Sequence, residues 1–78
     1  MKKDKNDRAV LFKEIEQIAD KAYEKHGGMN SFHEAYAVIL EELDEFLDEV
    51  KKKRPDKENS RTELLQIAAM CIKTIESL

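Results

Sequence analysis

In 78 residues the chain has one cysteine, one proline, two glycines and no tryptophan. The lone Cys71 rules out an intrachain disulfide, and such sparse cysteine usage fits a reducing cytoplasm better than a secreted scaffold. So few glycines and prolines leave little for the chain to turn at. The longest apolar run, residues 67–72, is far too short to span a bilayer. The start, MKKDKNDR, has no apolar stretch to serve as a signal peptide. No glycine-rich phosphate loop occurs, and no Ser-His-Asp or Cys-His pattern suggests nucleophilic catalysis. A net charge of −3 gives no general pull toward nucleic acid or a membrane surface. The expected location is therefore cytoplasmic, with neither membrane nor nucleic acid as partner.

What remains is 40% charged and 41% hydrophobic residues, the composition of an all-α protein. The chain reads as a single domain over residues 1–78, with 1–6 polar and frayed. A first helix starts at Asn6 or Asp7, with Asp7 available to cap. Its apolar positions are Leu11, Ile15, Ile18 and Ala22, joined by Phe12, Ala19 and Tyr23, at the 3.6-residue helical period. It ends near His26, where Gly27 and Gly28 supply a permissive backbone.

Ser31-Phe32-His33-Glu34 reads as a capping box opening a second helix from Phe32 to about Lys53. Phe32, Tyr36, Ile39, Leu43, Phe46, Leu47 and Val50 form its main apolar stripe. Pro55 stops it, and Lys51, Lys52, Lys53 and Arg54 complement the negative end of its dipole, or contact phosphate. Residues 55–59 form a connector. Ser60-Arg61-Thr62-Glu63 reads as a second capping box, opening a third helix that runs to the C-terminus.

Residues 67–72 of that helix are apolar on every side, and such a helix must be covered on every side. Two partner helices from a short chain do not readily do that. The expected architecture is a three-helix chain assembling into a multi-helix bundle as a dimer or a dimer of dimers. A three-helix monomer with a broad stripe is the competing arrangement. Cys71, inside this run, reads as a small buried hydrophobe. His26 reads as a loop residue and His33 as a surface or packing residue.

The second helix is also unusually acidic, with Glu41, Glu42, Asp44, Glu45, Asp48 and Glu49 close together. At about 100° per residue, Glu41, Glu45 and Asp48 share one line, and Glu42, Glu45 and Glu49 share the next, with the main apolar stripe on the far side. That is the pattern of a solvated face. Two features weaken that reading and leave a ligand-bearing face open. Like charges at i, i+4 repel, yet no basic residue is interleaved before Lys51. Small apolar residues, Ala35, Ala37 and Val38, sit beside the acids, as in the lining of a wet cavity. Several carboxylates around such a cavity suit a hard cation such as Mg²⁺. On the third helix, Glu63 and Gln66 lie on one side. Taken alone, Glu63 closes a capping box and Gln66 is a polar flank.

Together these acids resemble a known motif. Glu41-Glu42-x-x-Glu45 followed by Glu63-x-x-Gln66 is similar to the EExxE…ExxD signature of MazG-like, all-α nucleoside triphosphate pyrophosphohydrolases. The stretches HGGMNSFHEAYAVILEELDEFLDEV and RTELLQIAAMCIKTIESL resemble a small branch of that family, often phage- or prophage-associated, over residues 26–78. The resemblance implies a helical dimer or dimer of dimers that uses Mg²⁺, or Mn²⁺, to hold the phosphates of a nucleoside triphosphate. Water attacks the α–β linkage and gives the monophosphate and pyrophosphate. It implies Glu42, Glu45 and Glu63 as metal ligands, and Glu41 as a ligand or as the group that orients the attacking water. Gln66 stands where the family has aspartate. Its carbonyl can ligate a hard cation but brings no charge, which weakens metal binding and hydrolysis. The alternative is a non-catalytic helical bundle that kept the fold and serves as a structural or partner-binding protein.

Overall fold

The computed structural model describes residues 4–78. Its helices are α1 (Arg8–His26), α2 (Phe32–Val50) and α3 (Lys57–Ser77), with no strand among the described residues. The all-α class and the order of helices follow the sequence pattern. α1 opens because the Asp7 side chain accepts from the Ala9 amide at 3.0 Å, satisfying an N-terminal donor that no helical carbonyl reaches. It closes at Gly27, whose amide bonds the Tyr23 carbonyl at 2.8 Å. Gly27 has φ 70 and ψ −167, a conformation open essentially to glycine alone. α2 opens as expected at Ser31, whose hydroxyl accepts from the Glu34 amide at 3.0 Å. The return half of that capping box is not made, because the Glu34 carboxylate takes the Asn30 side-chain amide at 3.1 Å instead.

The expected start of α3 at Ser60 is corrected. The cap is Asp56, whose carboxylate accepts from the Glu58 and Asn59 amides at 2.9 and 3.2 Å. Ser60 lies inside the helix, its own amide on the Asp56 carbonyl at 2.9 Å. Glu63 therefore closes no capping box, and its carboxylate is free to face α2.

α2 also ends earlier than expected, at Val50. Glu49 is the cause. It is only 6% exposed, and its carboxylate holds the Lys52 ammonium at 2.9 Å and the Asp56 amide at 3.0 Å. One side chain thus ties the end of α2 to the cap of α3. Lys51, Lys53 and Arg54 are exposed in the turn beyond the helix.

Residues 4–6, expected to fray, form a turn fastened to α3, while residues 1–3 lie outside the described residues. Arg61 is the fastening. It bonds Glu14 of α1 through two nitrogens at 3.0 Å each, the Asn6 side chain at 2.7 Å and the Lys5 carbonyl at 3.0 Å. A two-pronged guanidinium–carboxylate pair fixes direction as well as distance. Lys5 also pairs with Glu58.

α3 carries both other helices, and α1 and α2 do not pack on each other. The molecule is shallow, 39 × 34 × 18 Å, with a cleft between α1 and α2 and α3 as its floor. The core is correspondingly thin. Ala19, Met29, Ala35, Ala69 and Met70 form its buried centre, with Ile15, Ile18, Ala22, Val38 and Ile39 packed around it.

α2 is turned relative to the sequence expectation. Ala35, Val38, Ile39, Glu42 and Glu49 sit on its inward or half-buried side, so the acid-and-alanine face meets α3. Most of the main apolar stripe points outward: Phe32 and Tyr36 are 69% and 70% exposed, and Leu43, Leu47 and Val50 are also open. Only Ile39 and Phe46, at the border of the two faces, are half-buried. The physical reason is size. Alanines at the contact allow helices to approach closely, whereas Leu and Phe would hold them apart. The apolar run of α3 is covered on one side only: Ala69 and Met70 are buried and Ile67 and Ala68 half-buried. Cys71 is exposed rather than buried, alongside Leu64, Ile72 and Ile75. No described helix is long and apolar enough to cross a membrane.

Candidate functional site

The turn of α2 and the early start of α3 bring acids from two helices together. Glu42 and Glu45, one turn apart on α2, meet Glu63 of α3, and one carboxylate oxygen from each lies within 4.8 Å of the others. Glu42 and Glu63 are half-buried and Glu45 is exposed. Glu41 is exposed, and with Glu42 and Gln66 it lines the cleft beside the trio. Three of the five residues singled out in the sequence thus converge, and the other two stand on the adjoining wall. Asp44 and Asp48 are exposed, and Glu49 is committed to its structural role.

The electrostatics of the trio are strained. Burial and the neighbouring charges of Glu45, Glu63 and Glu41 push the Glu42 carboxyl up to about 7. Burial, with Glu45 close enough to share a proton, also raises Glu63 above the ordinary carboxylate range. The Glu63 Oε2 atom is buried with no hydrogen-bond partner. An unpartnered buried carboxylate oxygen is costly, and two things relieve it: a proton or a cation. Oxygen donors of this hardness fit Mg²⁺ or Mn²⁺, with Gln66 able to add a neutral carbonyl.

The cleft has a volume of about 710 Å³; Lys21, Lys25 and His26 of α1 line its far wall, and Lys73 lies on its α3 floor. Sequence reasoning read His26 as a loop residue and passed over the three lysines. The available signal was Lys73 itself, a single charge after the apolar run of α3. Tyr23 is held there by its hydroxyl, which donates to the Glu76 carboxylate at 3.1 Å or to the Lys73 carbonyl at 3.3 Å. Ser77 accepts the Met29 amide at 3.1 Å, pinning the α1–α2 loop over the end of the cleft. Gly28 leaves room for this contact, since a Cβ there would lie 2.7 Å from the Ser77 hydroxyl.

Comparison with protein-family models, curated proteins and solved structures gives no match for this chain.

Proposed function

We propose that the chain is a Mg²⁺-dependent nucleoside triphosphate pyrophosphohydrolase of the MazG-like kind, converting a (d)NTP to the (d)NMP and pyrophosphate. The observation that carries this reading is the meeting of Glu63 with Glu42 and Glu45, with a buried Glu63 oxygen that lacks a partner. Two carboxylates one turn apart on one helix are commonplace. A third, brought from another helix to the same point with an unspent oxygen, is a donor set.

In this reading Glu42, Glu45 and Glu63 hold the cation, and Gln66 offers its carbonyl from the floor of the cleft. A bound Mg²⁺ supplies charge neutralisation at the phosphate oxygens and acidifies water. Glu41, exposed on the cleft wall, orients the attacking water by accepting its proton-bearing side. Replacing the family's aspartate by Gln66 removes one anion, so the site works with a lower negative charge than the family pattern.

We place this activity in a homo-oligomer, at least a dimer. The support is the outward stripe of Phe32, Tyr36, Leu40, Leu43, Leu47 and Val50. It runs along five turns of α2, about 27 Å, as one continuous apolar face. The second reading, a non-catalytic partner-binding bundle, draws on the same stripe and on Gln66.

Hydrolysis of a panel of NTPs and dNTPs with Mg²⁺ or Mn²⁺ separates the two. The enzyme reading expects monophosphate and pyrophosphate as products, and loss of turnover by about 10²-fold or more in Glu45→Ala. No hydrolysis of any triphosphate, or full activity in Glu45→Ala, rejects it.

A further inference from the structure

Lys73 is not explained by the fold. It is 3% exposed and lies beside Tyr23, toward the C-terminal ends of α1 and α3. Lysines that bury their stems ordinarily bring the ammonium out to water. Its stem is buried in the same way, and no ion pair or hydrogen bond from its ammonium occurs among the described residues. Its one recorded neighbour is the Tyr23 ring, with Nζ 5.3 Å from the centroid. That contact steadies the side chain and leaves the donors of the ammonium unused. The Lys73 side chain lines the same cleft as Glu42 and Gln66.

The placement has a direction. Glu63, Gln66, Met70 and Lys73 follow one another at i, i+3, i+7, i+10 along α3, so they form one line of the cleft floor. Glu63 and Lys73 are about 15 Å apart along the helix axis. Glu41 and Glu42 make one part of the cleft negative, while Lys21 and Lys25 add to Lys73 and outnumber Glu34, the one further acid in the lining. A metal-bound polyphosphate has the complementary polarity: a cation at one part and bare anionic oxygens at the other.

We propose that Lys73 is a phosphate-binding residue of this cleft, contacting the pyrophosphate portion of the ligand while the carboxylates face its cation-bearing portion. The assignment rests on the pyrophosphohydrolase reading. It adds the group that meets the charge left on the departing pyrophosphate, an ammonium already positioned on the cleft by its buried stem. Gln66 leaves the site short of one negative charge relative to the family pattern, and Lys73 adds a positive charge to the same cleft. Both features favour a polyanion entering with one cation.

The test is calorimetric binding of inorganic pyrophosphate, with a nucleoside monophosphate as the comparison ligand, in Mg²⁺ and again in EDTA. Lys73→Gln is expected to lose about tenfold or more in pyrophosphate affinity in both buffers. Monophosphate binding should change far less, and Lys73→Arg should keep most of the affinity. Unchanged pyrophosphate binding in Lys73→Gln overturns the assignment, as does an equal loss for both ligands. Mn²⁺ binding followed by electron paramagnetic resonance reports on the carboxylates separately. Wild-type protein that binds no Mn²⁺ while Lys73→Gln still loses pyrophosphate in EDTA rejects the metal reading and keeps the Lys73 assignment. If Lys73→Gln does not fold, lysine-labelled wild-type protein decides. The Lys73 ε-methylene resonance must move on adding pyrophosphate, and a stationary signal overturns the proposal.

Discussion

Glu42 and Glu63 titrate in the opposite sense from Glu14 and Glu49, and the difference sets a pH profile for stability. Glu42, raised to about 7, binds its proton more tightly folded than unfolded. Its contribution is present at low pH and is lost as pH rises from 4.5 through about 7, and Glu63 acts in the same direction. Arg61 holds Glu14 below the ordinary range. The Lys52 ammonium, with the Asp56 amide, does the same for Glu49. Their contributions are present above 4.5 and are lost as pH falls below it. Metal-free protein should thus be most stable near pH 4.5 and weaken toward pH 7. Urea unfolding across this range in EDTA reads that slope directly, and Mg²⁺ should flatten its upper half. Glu63→Gln should raise the melting temperature in EDTA by a few degrees and abolish any rise caused by Mg²⁺. A fall in EDTA would show that the carboxylate is satisfied in a way the Oε2 environment does not indicate. In the sequence Glu42 and Glu63 stood out through a resemblance, Glu49 only as one of an acidic run, and Glu14 not at all. The strain at Glu42 and Glu63 was not legible there, because it depends on which face of α2 meets α3.

At the level of the helices, local signals performed unevenly. Asp7, Ser31 and Gly27 did what short-range chemistry says they do. Ser60 did not, because Asp56, just after Pro55, reaches two free amides and starts the helix first. The two candidates are separable by mutation. Asp56→Ala should cost about 1 kcal/mol, whereas Ser60→Ala should cost little, both read from denaturant midpoints. Gly27→Ala places a side chain at φ 70 and should cost about 1–3 kcal/mol. For a domain of this size that is a melting-temperature loss of about 4–8 °C per kcal/mol. Helical periodicity located an apolar stripe on α2 but not its partner. The periodicity of Phe32, Tyr36, Leu43 and Leu47 is satisfied equally by burial within the chain and by burial against another chain. Ala35, the residue that decides the inward face, carries too little hydrophobicity to stand out in the pattern.

The whole molecule is a shallow assembly whose large apolar side chains lie mostly outside and whose buried centre is largely alanine and methionine. Such a core contributes little on its own, since alanine buries only a methyl group. Its stability should therefore depend on protein concentration. Light scattering at micromolar concentration should give a multiple of 9.1 kDa, and a mass of 9.1 kDa would reject the dimer. Leu43→Glu together with Leu47→Glu should return the protein to that monomer mass and lower its melting temperature. The two tyrosines divide between these questions. With no tryptophan in the chain, intrinsic fluorescence comes from Tyr23 and Tyr36 alone. Tyr23 lies against Lys73, which lines the cleft, and Tyr36 sits on the outward stripe of α2. The molecule thus carries two native optical reporters, one for an occupied cleft and one for an associated surface. A single Tyr→Phe change leaves either of them to be read in isolation.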